Sequence, residues 1–297
     1  MLRDPRMQRA IRRNGWCALA VASALGAGCG TSESPPGEVL TVEPGHDLAA
    51  DGAKADGSDE PRVELKVTLE DDAIDAVRDA LHLSLDRAER RWVYFYDTAD
   101  LTLFEGGVVL RARKVDDGAD DSTVKARPLS AEDVSAAWLD EDGFKCEIDR
   151  LPDREVSSCS LTREPDRGEI DDVADADRAV RTLFDDDQER FFEERSWATT
   201  QESYPPSLDE VLVLGPADVW VWKVTTSALD EALTVELWVL PDGTELCEVS
   251  TKTDFDAADS AFEALIDYLT ERGIAIGDTQ ETKTRVALEY FASRAAW

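Results

Sequence analysis

From residue 62 onward the chain alternates apolar and polar residues in short runs of period two. The clearest are 63–67, 109–113, 123–127, 144–149, 219–223, 234–238 and 246–252. Successive side chains of a strand point to opposite faces, so each run predicts a strand with one apolar and one charged face. Pro241-Asp242-Gly243 predicts a turn between two of them, and the order of short strands predicts antiparallel pairing. Helical spacing lies between. Residues 70–85 open on Glu70, Asp71 and Asp72, suited to a helix N-terminus, and place Ile74, Val77 and Leu81 on one stripe. Residues 130–138 begin with Ser130 and, three places on, Asp133, close to a capping box. Residues 173–184 carry Val173, Ala176, Val180 and Leu183; residues 256–272 carry Phe262, Leu265, Ile266 and Leu269 and stop at Gly273. Residues 279–294 form a last predicted helix, and the Asp-rich stretches 116–121 and 185–187 read as solvated loops, with calcium binding as the lesser alternative.

The charged face of the strands is not a random mix. Lys66, Arg111, Arg113, Lys125, Arg127, Lys145, Lys223 and Lys252 fall on it, interspersed with Glu64, Glu147, Asp149, Glu236 and Glu248. Two arrangements fit this pattern. One is an exposed, salt-bridged sheet face. The other is the inner wall of a closed barrel, where the cations would bind phosphate oxygens and the carboxylates would hold a hard cation. Arg190 and Arg195 are candidate extensions of the basic set, although no clear period runs through residues 191–194.

The first thirty residues differ in kind. Five arginines stand against one acid in residues 1–15, followed by an apolar run from Trp16 to Leu25 and by Gly26-Ala27-Gly28-Cys29. A basic start, a short apolar centre and small residues before a cleavage point predict a secretory signal peptide over 1–28. Small residues before Cys29 suggest a lipobox, with Cys29 as the lipidated first residue; a plain signal peptide cleaved nearby is the alternative. Residues 29–61, rich in Gly, Ser, Pro, Asp and Ala, predict a flexible linker, because they bury too little apolar surface to offset chain entropy. The folded domain is expected over 62–297, in an exported protein whose membrane contact is the N-terminal lipid alone, on the periplasmic side or the cell surface.

Composition narrows the chemistry. The chain has 297 residues, with 65 Asp+Glu against 32 Lys+Arg and a formal charge of −33. Such a surface repels nucleic acid, so a polyanion site must be a local basic pocket. Two histidines leave no scope for a His-rich zinc site. Removing residues 1–28 leaves the mature chain near −37, with three cysteines, Cys146, Cys159 and Cys247. Cys146 and Cys159 flank a predicted hairpin; a disulfide between them and small buried thiols are both compatible with an exported chain.

Several runs resemble the CYTH, or triphosphate tunnel, family. Tyr94-Phe95-Tyr96-Asp97-Thr98-Ala99-Asp100-Leu101, then Gly107, then Leu110-Arg111-Ala112-Arg113 is similar to that family's Y-F-D-T…L…G…L-R-x-R run. Thr123–Arg127 resembles its L-T-x-K strand and Lys145–Asp149 its R-x-E-x-E strand, while Glu236 and Glu248 resemble its late acidic strands. The opening signature E-x-E-x-K is reduced here to Arg62-Val63-Glu64-Leu65-Lys66, and Ser250 stands where a last carboxylate is expected. The resemblance implies an α+β fold: a closed antiparallel barrel of about eight strands with helices packed outside. It implies a phosphohydrolase acting on tripolyphosphate, polyphosphate or a nucleoside triphosphate. Lys66, Arg111, Arg113, Lys125, Arg127, Lys145, Lys223 and Lys252 would bind phosphate, and Glu64, Glu147, Asp149, Glu236 and Glu248 would hold Mg²⁺ or Mn²⁺. With Arg62 and Ser250 in place of carboxylates, a non-catalytic polyanion-binding or structural lipoprotein is the alternative. The N-terminal reading predicts a mature chain that begins at an acylated Cys29; mass spectrometry showing another N-terminus would refute it.

Overall fold

The computed structural model describes residues 38–45, 62–70, 73–199 and 206–295; the predicted signal peptide, Cys29 and most of the predicted linker lie outside them. The elements run in the order β1 (Leu40–Pro44), β2 (Val63–Thr68), α1 (Ile74–Ala80), β3 (Glu89–Asp97), α2 (Thr102–Glu105), β4 (Val108–Val115), β5 (Asp121–Ala126) and α3 (Ala136–Leu139). They continue with β6 (Phe144–Arg150), β7 (Glu155–Arg163), α4 (Glu169–Ala174), α5 (Asp186–Thr199), β8 (Leu212–Thr226), β9 (Leu233–Val239), β10 (Glu245–Thr253), α6 (Ala258–Glu271) and α7 (Lys283–Ala295).

Nine strands close into a ring in the order β8-β3-β4-β5-β7-β6-β2-β10-β9, with β9 returning to β8. The ring is not wholly antiparallel as expected: β2 and β6 are parallel, through Val63↔Ile148, Glu64↔Asp149 and Leu65↔Arg150. Closure requires this. Strand direction must be restored after one circuit, so an odd ring contains at least one parallel pair. Cys146 and Cys159 face each other across β6 and β7 and are disulfide-bonded, while Cys247 is a buried free thiol.

Alternation turns the barrel inside out relative to an ordinary core. In β2, Val63, Leu65 and Val67 are buried outside the wall with α1 and α6, whereas Glu64 and Lys66 point inward. A second outer cluster joins Leu110, Val124 and Leu161 to Ile170 of α4 and Phe191 of α5. Part of the interior is apolar: Val93, Phe95, Val219, Val221 and Trp238 pack with Ala287, Leu288 and Phe291, so α7 fills one end of the barrel. Glycine is required at Gly107, whose φ is +82° and whose Cβ would lie 2.0 Å from the Arg127 carbonyl oxygen. The Asp97 of the Tyr94–Leu101 run is structural: its carboxylate accepts from the N–H groups of Thr98, Leu103 and Phe104 at 2.7, 2.9 and 2.8 Å, shaping the turn between β3 and α2. Burial raises its pKa against those bonds.

Three expectations are corrected. Residues 40–44, placed in the flexible linker, form β1, which pairs with Trp222–Thr226 and continues the edge of β8 beyond β3. Its alternation is short but sufficient, with Val42 buried, and the side chain of Glu38 just before it is 4% exposed and ion-paired with Arg272. The Asp-rich stretch 185–187 begins a helix instead of forming a loop. Gln188 N–H donates to Asp185 Oδ1 at 2.8 Å and Asp185 N–H to Gln188 Oε1 at 3.2 Å, a reciprocal cap with Asp in the place of Ser. The helix expected over 173–184 divides into α4 and a 3₁₀ turn at Val180–Leu183.

The β1 docking predicts that Glu38→Ala, which takes the carboxylate from the buried Arg272 guanidinium and leaves it the Tyr268 carbonyl oxygen and ring, destabilises the domain by about 2–3 kcal/mol in urea unfolding. A change within about 0.5 kcal/mol would mean that Glu38 does not anchor this segment.

Candidate functional site

The polar remainder of the interior is a cavity of about 620 Å³. Every strand-borne charged residue named from the sequence lines it. β2 supplies Glu64 and Lys66, β4 supplies Arg111 and Arg113, β5 leads from Lys125 to Arg127, and β6 supplies Lys145, Glu147 and Asp149. Lys223 comes from β8, Glu236 from β9, and Glu248, Ser250 and Lys252 from β10. The exposed-sheet reading is therefore wrong: these side chains line one cavity within the ring, with Lys223 remaining exposed. Arg190 and Arg195 do not. Both lie on α5 outside the ring, where Arg190 pairs with Asp187 at 3.0 Å and covers the Trp138 ring.

The strand pattern gave no sign of further basic side chains. Lys283 and Arg285 reach the cavity from the start of α7, Arg154 from the β6–β7 connection, and Arg62 from just before β2. The wall then holds twelve Lys and Arg against seven Asp and Glu. Lys283 was legible only as a lysine in the first turn of a helix, a place where the macrodipole disfavours it. That misplacement was the available signal.

Most of the carboxylates are held by ammonium groups. Asp149 lies between Lys66 Nζ at 2.7 Å and Lys125 Nζ at 3.0 Å, and Lys66 also meets Glu64 at 3.1 Å. Glu147 accepts from Lys252 at 2.9 Å and Lys145 at 3.3 Å. Lys283 Nζ sits 2.6 Å from Glu236 and 2.9 Å from Glu248. On β4, Arg113 Nε donates to Asp121 at 2.7 Å. The Arg127 guanidinium, stacked 5.5 Å from the Phe104 ring, and the Lys223 ammonium have no ion pair among the described residues.

Charge states follow from these contacts. Burial works against ionised Asp149, but Lys66 and Lys125 outweigh it and hold its pKa well below the carboxylate range. Burial likewise opposes ionised Glu147, yet Lys145, Lys252 and Lys125 bring it to about 2. Lys66 and Lys283 are raised although burial lowers each, because Asp149 with Glu64, and Glu236 with Glu248, prevail. Lys125 is lowered: burial dominates, and it shares Asp149 with Lys66. Burial also lowers Arg127, reinforced by Arg285 and Arg154. A second anion placed near Lys125 and Arg127 would relieve that cost.

The donor set does not suit the expected divalent cation. Among the described residues no three Asp, Glu, His or Cys side chains converge as metal ligands. The carboxylates of the expected set contact lysines instead.

No protein-family model and no curated protein matches the sequence. Solved structures do match in fold. A candidate adenylate cyclase of Bacillus halodurans superposes with a TM-score of 0.52 at 12% identity, covering 76% of this chain and 97% of that one. HpAC1 from Hippeastrum, a candidate adenylyl cyclase described as having a dominant triphosphatase activity, superposes at 0.50 with 18% identity, covering 77% and 96%. The chain thus shares the closed-barrel, CYTH-like tunnel fold of these proteins.

Glu147 generates a pH prediction. Its folded pKa near 2 lies below its ordinary 4.5, so the stability it contributes is complete above pH 4.5 and disappears as pH falls toward 2. Glu147→Gln should cost on the order of 2 kcal/mol at pH 7, and the gap to wild type should close in acid. A gap that persists unchanged at pH 2 would contradict the assignment.

Proposed function

We propose that the barrel interior binds a short, linear polyphosphate-type anion. The observation that carries this reading is a cavity lined by twelve basic against seven acidic side chains in a chain of net charge −33. Acids outside the wall match part of this surplus, with Arg113 on Asp121, Arg154 on Asp153 and Arg285 on Glu281 and Glu289, but Arg127 and Lys223 keep no ion pair among the described residues. Arg111, Arg113, Lys125 and Arg127 run along two neighbouring strands, and the guanidinium fork suits phosphate oxygens. The cavity volume lies within the ordinary range for small-ligand sites. With the predicted export, the ligand is inorganic polyphosphate or another external polyanion, because an exported protein rarely meets cytoplasmic nucleotides.

Hydrolysis of the bound anion is the second reading. The specific observation in its favour is the fold shared with HpAC1 and its described triphosphatase activity. Against it stands the state of the carboxylates: Glu147, Asp149, Glu236 and Glu248 all contact lysine ammonium groups at 3.3 Å or less, so much of the negative charge that would hold a divalent cation is already neutralised.

Calorimetry with tripolyphosphate in EDTA should show saturable binding to the mature chain, and Arg127→Ala should weaken it about tenfold or more, as expected for loss of a charged hydrogen bond. Absence of binding with and without Mg²⁺ would overturn the polyanion reading. Phosphate release above background, lost in Arg127→Ala, would instead establish hydrolysis.

A further inference from the structure

Glu236 and Glu248 are directly opposite each other on β9 and β10. Two like charges at facing positions of an antiparallel pair repel, and this pair points into an enclosed space with Glu248 buried. Such a pair needs a cation between its arms. The Lys283 ammonium is there, 2.6 Å from Glu236 Oε1 and 2.9 Å from Glu248 Oε1. Its side chain is 16% exposed. Trp238, two residues after Glu236, fixes the geometry: its indole N–H donates to Glu236 Oε2 at 2.9 Å, and its ring lies 5.7 Å from the ammonium. α7 in turn is held in place by Ala287, Leu288 and Phe291 against the inner wall, so Lys283 enters on a packed helix instead of a free loop.

We propose that Lys283 is the resident cation of the Glu236–Glu248 pair, occupying the place a divalent ion would take and making anion binding in the barrel independent of metal. The second half of this statement rests on the polyanion reading; the first does not. A lysine tethered to the fold supplies one positive charge at fixed position without coordination requirements. It neutralises half of the pair's charge and leaves the pair one negative charge, balanced by the surrounding basic wall. It also denies Mg²⁺ and Mn²⁺ the only two facing carboxylates of β9 and β10, because an ammonium 2.6–2.9 Å from both oxygens fills the space between them.

The test uses Mn²⁺ alone, with binding followed by the loss of the free-ion EPR signal. The acidic surface takes up Mn²⁺ weakly and diffusely, so the readout is the difference between variants. Wild type and Glu248→Gln should bind Mn²⁺ alike, since the pair is already occupied. Lys283→Met, which keeps length and packing but removes the charge, should gain one saturable site at least tenfold tighter than the diffuse background. Lys283→Met combined with Glu248→Gln should lose it again. Wild-type Mn²⁺ binding that Glu248→Gln abolishes would overturn the assignment, and this arm needs no lysine variant to fold. A folded Lys283→Met protein with no new site would overturn it too. A parallel titration with tripolyphosphate separates the two ideas. Equal affinity in EDTA and in Mg²⁺ supports metal independence, and binding that requires Mg²⁺ refutes it. Absence of binding under both conditions removes the polyanion reading while leaving the Mn²⁺ result to decide Lys283.

Discussion

Charge enclosed in a protein must be matched by charge, and this constraint organises the whole barrel. The period of two sends every other side chain of nine strands into one space, and on much of the wall those side chains are Lys, Arg, Asp and Glu. Water has limited access, so each group needs a partner or a ligand. Asp149 shared by Lys66 and Lys125, Glu147 shared by Lys145 and Lys252, and Lys283 shared by Glu236 and Glu248 are three solutions to that one requirement. In two of them one carboxylate takes two cations; in the third one cation takes two carboxylates.

The apolar half of the structure follows from the same alternation. With the interior given to charge, hydrophobic burial moves to the outer surface of the wall, beneath α1, α4, α5 and α6. Where α7 enters, the inner face turns apolar, at Val93, Phe95, Val219, Val221 and Trp238. That local change from charge to hydrocarbon lets a helix seat inside a barrel, and it delivers Lys283 and Arg285 to the charged end. Stability and site chemistry therefore share one element. The apolar face of α7 holds the helix, and its first turn completes the electrostatics.

The fold neighbours and the interior differ in what they support. Backbone closure is common to this chain and to proteins at 12% and 18% identity, because a ring of strands is specified by alternation and turn chemistry, which many sequences satisfy. Reaction chemistry depends on which carboxylates are free, and here lysines contact them. Arg62, whose guanidinium donates to the Lys252 carbonyl oxygen at 3.4 Å, and Ser250, buried opposite Lys66, add no carboxylate to this interior.

The sequence by itself determined seven of the strands, their two faces and the identity of the charged face, while β1, β3 and β7 were not among the alternating runs. Alternation is local, and Glu64, Lys66, Arg111, Lys125, Glu147 and Asp149 declare their side by spacing alone. It also held a cap that composition disguised: three consecutive aspartates read as a loop, although Asp185 and Gln188 stand at capping-box spacing. Tertiary structure decided what spacing cannot carry. The parallel contact of β2 with β6 comes from closing an odd ring. The capture of residues 40–44 depends on an edge of β8 that β3 leaves open, some 180 residues away in the chain. The meeting of Lys283 with Glu236 and Glu248 depends on a helix folding back into the barrel. Each of these is a contact between distant segments, and local periodicity holds no information about which distant segments meet.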